Sequence, residues 1–420
     1  MPHFAHAHAT HPDARMAFAL AAAQIDAQIG AEAPTPRRGF APPTLGWLYL
    51  TDHLAGHAEA VLALARERWP GVAWVGAVGV GICASGVEYF DEPALALMLA
   101  DLPRESFRVF SGAQPLPAAS AARGFVAHSA LVHADPSTPE LDELIADLAA
   151  RTASGYLFGG LASARTRVLH IADDVLEGGL SGVAFAADVT LASRVTQGCQ
   201  PIGPTREITA AEGQVVLQLD GEHALDVLLA DLGLADLEPR AALPKLRATL
   251  VGLSDARRAD RPARPGAFGP DVRVRHLIGL DPARRGVAVA ERIEVGQRLA
   301  FCTRHVDAAR RDLTRICAEV LDEFEPADAL SPLAPHVAPP ALQPLPGEPA
   351  GGGMAAPLAG AVYVSCAGRG GPHFGAPSAE LAIVRRMLGD VPLVGFFAAG
   401  EIGHRHLYGY TGVLTAFGAA

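Results

Sequence analysis

Apolar residues arrive along this chain in two alternating rhythms. Residues 44–52, TLGWLYLTD, are apolar almost throughout, as a buried strand requires. Residues 57–70, HAEAVLALARERWP, carry apolar positions at helical spacing. A second strand, VAWVGAVGVGICASGVEYF (72–90), runs into a glycine-rich turn, and ALALMLADL (94–102) follows as the next strand. The order returns in GFVAHSALVHAD (124–135), PELDELIADLAAR (139–151), GYLFGGLASAR (155–165) and GLSGVAFAAD (179–188). It returns again in AGAVYVSCAGRG (359–370), SAELAIVRRMLGD (378–390), VPLVGFFAAGEIG (391–403) and LYGYTGVLTAF (407–417). Each unit reads strand, helix, strand, glycine turn, strand. In the helices, Leu381, Val384, Met387 and Leu388 share one face, as do Leu141, Leu144, Ile145 and Leu148. VRHLIGLDPARRGVAVAE (274–291) reads as a partial further copy.

Repetition of this kind predicts an α+β fold. Two domains of mixed, largely antiparallel β-sheets carry helices on their outer faces, in layers of the αββα type. The expected division is a tail and helix at 1–40, a first domain at 41–245 and a second at 246–420. Residues 1–12, rich in His, Ala and Pro, read as a frayed tail, and 13–30 as a helix ending at Gly30. SDARRADRPARPGAFGP (254–270) reads as a surface loop, and the Pro/Gly-rich 331–357 as a long insertion that neither helix nor central strand tolerates. Lys245, the only lysine, lies in LPKLRATL, which reads as a strand entry.

Composition narrows the function. The net charge of -11 excludes a general nucleic-acid binder and gives no attraction to anionic lipid. Cys83, Cys199, Cys302, Cys317 and Cys366 are scattered and contain no CxxC pair, so neither a disulfide framework nor a zinc knuckle is indicated. The N-terminus lacks a secretory pattern and no apolar run approaches a membrane span, which makes cytoplasm the expected location. No GxxxxGK[ST], GxSxG or HExxH occurs.

VPLVGFFAAGEIG…YGYTGVL and VSCAGRG resemble the signature of the FIST C-terminal domain. QGCQPIGP (197–204) resembles the end of the FIST N-terminal domain, and GQRLAFCTRHVDAARRDL (296–313) the middle of the C-terminal one. The resemblance runs from about residue 40 to the end. It implies a sensory domain pair that binds a small ligand, such as an amino acid or related anionic metabolite. Relatives often carry an output module; here signalling would pass through a separate partner.

The residues offer a matching constellation. Arg369, beside Gly370 and before a helix, can clamp a carboxylate, and Glu401 can receive an ammonium. Gly400 and Gly403 give close backbone approach at the same corner, and Gly395 precedes them. Ser85 and Gly160 stand in the corresponding turns of the other units, so several turns would converge on one cleft between the domains. The competing reading is structural: each glycine serves its own turn, and Arg369 pairs with Glu401 as a buried lock. A second class of function is an enzyme, using Cys366 with His373 as base or a metal at His404 and His406 together with Glu401 or His373. A third is an interaction scaffold docking a partner through 331–357. Neither catalytic residue nor cofactor is assigned, and the two histidines form an incomplete metal set.

Overall fold

Glycine decides how closely the strands of each repeated unit can pack. Gly76, Gly159 and Gly395 lie directly opposite Leu48, Val132 and Tyr363 on the neighbouring parallel strand. A Cβ at these glycines would fall 1.8, 2.0 and 1.7 Å from the carbonyl oxygens of those three partners. One position, three times over, therefore admits no side chain. The computed structural model describes residues 3–30, 41–118, 124–234, 239–255, 272–324 and 358–419.

Unit one comprises β1 (Phe4–Thr10), α1 (Ala14–Ile29), β2 (Leu45–Thr51), α2 (Ala58–Arg68), β3 (Ala73–Gly79), the hairpin β4 (Gly81–Ala84) and β5 (Val87–Phe90), and β6 (Ala94–Ala100). Unit two comprises β7 (Phe107–Phe110), β8 (Ser129–Ala134), α3 (Leu141–Ala150), β9 (Tyr156–Leu161), the hairpin β10 (His170–Ala172) and β11 (Asp174–Leu176), and β12 (Leu180–Phe185). Unit three begins at β13 (Leu191–Gln197) and is then interrupted. The interruption holds β14 (Cys199–Pro201), β15 (Arg206–Glu212), β16 (Val215–Leu219), β17 (Glu222–His223), α4 (Ala224–Asp231) and α5 (Pro239–Ala248). It continues with β18 (Leu250–Ser254), β19 (Arg273–Asp281), β20 (Gly286–Val289) and β21 (Arg298–Arg304). Unit three resumes with α6 (Val306–Phe324), β22 (Leu358–Cys366), α7 (Gly370–Phe374), α8 (Ala379–Leu388), β23 (Leu393–Ala398), the hairpin β24 (Glu401–His404) and β25 (His406–Tyr408), and β26 (Thr411–Gly418).

The three units build three sheets of one design: β1-β6-β2-β3-β10-β11, β7-β12-β8-β9-β24-β25 and β13-β26-β22-β23-β4-β5. In each, the two strands flanking a helix, β2 and β3, β8 and β9, β22 and β23, pair in parallel, and the returning strand, β6, β12 or β26, pairs antiparallel with the first of the two. The hairpins are exchanged in a ring. β4–β5 leaves unit one for β23, β24–β25 leaves unit three for β9, and β10–β11 leaves unit two for β3. Inner faces of all three sheets meet in one core that holds Trp47, Tyr49, Phe158, Phe185, Phe396 and Phe417. The outer faces are covered by α1 and α2, by α3, and by α6 and α8. The architecture is α+β with mixed sheets and outer helices, as the periodicity predicts.

The interruption forms the second body. Its sheet runs β21-β15-β16-β20-β19-β18, and β18 pairs back onto β21, closing a small barrel around Val216, Val251, Leu253 and Phe301. Residues 274–291 are thus the β19–β20 hairpin of this barrel rather than a further copy of the unit.

Three other expectations are corrected. Residues 4–10 are an edge strand in full register with β6 and not a frayed tail, with Phe4 wholly buried. Lys245 lies on helix α5, which accommodates Pro244, rather than at a strand entry. On α3, Ile145, Leu148 and Ala149 are buried while Leu144 is 40% exposed. The expected helix at 13–30 is α1, capped by the Asp13 carboxylate and ending at Gly30. The loop assigned to 254–270, beyond Asp255, and the insertion assigned to 331–357 lie outside the described residues.

Candidate functional site

Parallel strands leave a crevice at their carboxyl ends where ligands commonly bind. In unit three those ends are Cys366, the last residue of β22, and its register partner Ala398, the last of β23. The Ala367 N–H donates to Ala398 O (2.8 Å), and the Arg369 N–H donates back to Cys366 O (2.7 Å), which turns the Arg369 side chain inward. The guanidinium is buried over the ring of Phe374, 5.3 Å from its centroid.

Its ion-pair partner is Glu380, at 3.0 Å from Nε to Oε1. Glu380, Val384 and Leu388 recur every fourth residue along α8, so the carboxylate lies on the buried face. It also accepts from Tyr363 OH (2.7 Å) and Ser365 Oγ (3.0 Å), both projecting from β22. The N-terminus of α8 is capped from unit one: Glu88 on β5 accepts from the N–H groups of Glu380 (3.0 Å), Leu381 (3.2 Å) and, through its other oxygen, Gly371. Carboxylates favour that position because the first-turn N–H groups have no helical partners. Burial, with Glu380 nearby, nevertheless raises the Glu88 carboxyl to about 7.

Glu401 opens β24 opposite Gly160 on β9 and is wholly buried. Its Oε2 accepts from the Thr411 N–H (3.1 Å) and Thr411 Oγ (2.7 Å). Burial pushes this carboxyl up to about 8, against the downward pull of Thr411 and of the Arg369 charge. Tyr410, at φ 62°, stands just before β26 and meets the barrel. Its carbonyl accepts from Arg369 Nη1 (3.4 Å), the Arg304 guanidinium stacks on its ring, and its hydroxyl bonds His276.

Comparison of the three units shows what is peculiar to this corner. After β2, Thr51 Oγ1 donates to Glu92 O (2.7 Å), and Asp52 receives Arg165 through both oxygens. After β8, Asp135 receives Ser137 on one oxygen and the Gly178 N–H on the other. Unit three ties its corresponding loop through Arg369 and Tyr410, but Arg369 Nη2, Glu401 Oε1 and His373 Nε2 have no partner among the described residues. Buried polar atoms left unpaired are costly and uncommon in native structures.

The structure brings Cys366, Arg369, Gly370 and Glu401 to one corner, with Gly160 as the register partner of Glu401. Gly370 (φ 26°) admits the Phe90 ring, which a Cβ would meet at 2.7 Å. Gly400 packs against Leu161 and Leu407, and Gly160 against Val364 and Ala398. Ser85 is elsewhere. It follows Ala84, which pairs with Val394 near the start of β23, about 13 Å along the strand from Ala398 at ~3.3 Å per residue. There its hydroxyl donates to Val391 O (2.7 Å) and accepts from the Leu393 N–H (3.0 Å), beside a small groove lined by Arg385 and Leu388. The expected pairing of Arg369 with Glu401 is replaced by Arg369 with Glu380. Sequence reading misses Glu380; a carboxylate on the apolar stripe of α8 is the signal that finds it.

Cys366 is held as a thiol, because burial and Glu401 push it up to about 12. Burial and two arginines, Arg304 and Arg369, hold the His373 imidazole down to about 4. His404 and His406 do not share one strand: His404 ends β24 at φ 55° against the Tyr156 ring, and His406 begins β25. Among the described residues no three His, Cys, Asp or Glu side chains are grouped to hold a metal. Nor, among them, is any helix long and apolar enough to cross a membrane.

The FIST N domain matches residues 44–222 and the FIST C domain residues 224–404. The chain belongs to the FIST family. FIST domains are sensory domains associated with signal transduction. The junction of the two matches falls between β17 and α4, inside the barrel, and β4 and β9 of the FIST N match pair directly with β23 and β24 of the FIST C match. An uncharacterized protein of Mycobacterium tuberculosis strain H37Rv is 31% identical over 424 residues, covering 97% of each chain. An uncharacterized protein of Mycobacterium bovis is 29% identical over 434 residues, again covering 97% of each.

Proposed function

We propose that this FIST protein senses a small carboxylate-bearing metabolite, an amino acid in the first instance, at the carboxyl ends of β22 and β23. One observation carries the reading: two buried ionisable side chains at that corner, Arg369 and Glu401, each keep one polar atom without a partner among the described residues. Arg369 Nη2 is a charged donor suited to a carboxylate, and the Glu401 carboxyl, raised to about 8, becomes an acceptor for an ammonium at Oε1 on giving up its proton. Glu380, Tyr363 and Ser365 hold the guanidinium in place without using Nη2. Tyr410 and Gly198 bring the barrel against the same arginine, so a ligand here bears on the contact between the two bodies.

The competing enzymatic reading through Cys366 is disfavoured by the high thiol pKa, since the thiolate is the nucleophile. A thermal-shift panel of amino acids, keto acids and small dicarboxylates tests the proposal. A ligand at 100 times its Kd adds about 2.7 kcal/mol, a shift of several degrees. Glu401→Gln should weaken an amino-acid hit while leaving the fold intact. A panel without a single shift, or a hit indifferent to Glu401→Gln, would overturn the site.

A further inference from the structure

The barrel joins the three-unit body through a narrow passage. The chain leaves β13 at Gln197, enters at Cys199, and returns through Cys302–Arg304 to α6 at Val306. Entry and exit strands pair antiparallel, Cys199 with Arg304 and Pro201 with Cys302, and the His305 N–H donates to Gly198 O (3.0 Å) across the opening. Residues opposite each other on a ladder, and those two further along, share a face. Cys199 and Cys302 are therefore diagonal neighbours on one face.

That face is the outer one. Phe301 points into the barrel core, whereas Cys302 packs with Cys199, Leu250 and Val274 against Tyr410 of the body. Both thiols are buried and free. The Cys302 thiol beside it, and then the Arg304 and Arg369 charges, draw the Cys199 thiol down against the effect of burial, while Cys199 and burial push Cys302 up. The Arg304 and Arg369 charges act on Cys199, which favours its thiolate as the attacking group.

We propose that Cys199 and Cys302 form a reversible disulfide that staples the passage between barrel and body when the protein meets a hydroperoxide. The Cys199 thiolate attacks the peroxide oxygen, giving a sulfenic acid and, for hydrogen peroxide, hydroxide, which takes up the proton that Cys199 released. The Cys302 sulfur then attacks the Cys199 sulfur; the S–S bond forms, the S–O bond breaks, and the Cys302 proton leaves with the oxygen as water. Two thiols and one peroxide become one disulfide and two waters, the two electrons passing to the peroxide. Diagonal Cα atoms on a ladder lie about 7–8 Å apart, slightly beyond the usual disulfide span of up to about 7 Å. Closure thus requires a movement of about 1 Å, which β14 can supply because it is only three residues long and pairs on one side, with β21.

The test is a peptide map of the full chain after hydrogen peroxide, alkylated and digested without reductant. The expected result is loss of two of the five thiols, one linked peptide pair joining Cys199 to Cys302, and its disappearance with dithiothreitol. Cys199→Ser and Cys302→Ser should each abolish the link without creating another. Recovery of both cysteines as alkylated thiols, their loss to sulfinic acid, or linkage of either to Cys366 would overturn the proposal. The wild-type map alone decides the matter if a variant fails to fold.

Discussion

Replacing Glu401 by glutamine should change how stability depends on pH. The native carboxyl is buried without a cationic partner of its own and titrates at about 8, whereas in the unfolded chain it titrates near 4.5. Between those values the native state holds a proton that the unfolded state has released. Stability from such a group is fully present below the unfolded value and is lost as pH rises through the folded one. The slope approaches 1.4 kcal/mol per pH unit, so from pH 5.5 to 7.5 the wild type should lose about 2.7 kcal/mol on account of Glu401 alone. Glu88, raised to about 7, adds a similar loss over a narrower window, but it is common to both proteins and cancels in their difference. The amide of the Glu401→Gln variant retains an oxygen for the Thr411 donors and cannot ionise. Urea unfolding, followed through the buried Trp47 and Trp74, should show the two stability curves converging or crossing as pH rises. Curves that stay parallel within about 0.5 kcal/mol over those two pH units would refute the assignment of Glu401 as a buried, protonated acid.

Four further substitutions, Gly56→Ala among them as the control, probe the frame around it. Glu380→Ala strands a buried guanidinium and should cost about 3–5 kcal/mol in urea unfolding; a loss under about 1 kcal/mol would show that the ion pair does not hold the corner. Gly395→Ala drives a Cβ into Tyr363 O and should destabilise by about 3 kcal/mol or more, while Gly56→Ala, facing open space, should change stability by less than about 0.5 kcal/mol. Phe4→Ala empties a fully buried site between Trp47 and Phe417 and should cost about 3–5 kcal/mol, which a frayed N-terminus would not.

The repeat is legible because strand and helix periods alternate strongly and a glycine recurs at the same strand position in all three units. The exchange of hairpins is not. Short segments such as GICA and HIA satisfy any adjacent edge, and nothing local says which unit they join. The first strand escapes notice because FAHAHAT buries alanines, whose small side chains give alternation with little hydrophobic contrast. Arg369, Glu401 and Cys366 stand out from residue chemistry beside glycines, and the fold brings them together. The partner of Arg369 is misjudged from sequence because Glu401 lies in a neighbouring motif, whereas Glu380 reaches inward only once α8 is packed on β22. Ser85 is drawn in by its matching turn, and the antiparallel run of β4 on β23 carries it to the opposite end.

A structure of the chain with the strongest hit of the thermal-shift panel tests the ligand site most directly. The carboxylate should lie against Arg369 Nη2 and, for an amino acid, the ammonium at Glu401 Oε1, with Tyr410 beside both. A ligand seated instead in the groove beside Ser85 and Arg385, or contacting neither Arg369 nor Glu401, would contradict that placement.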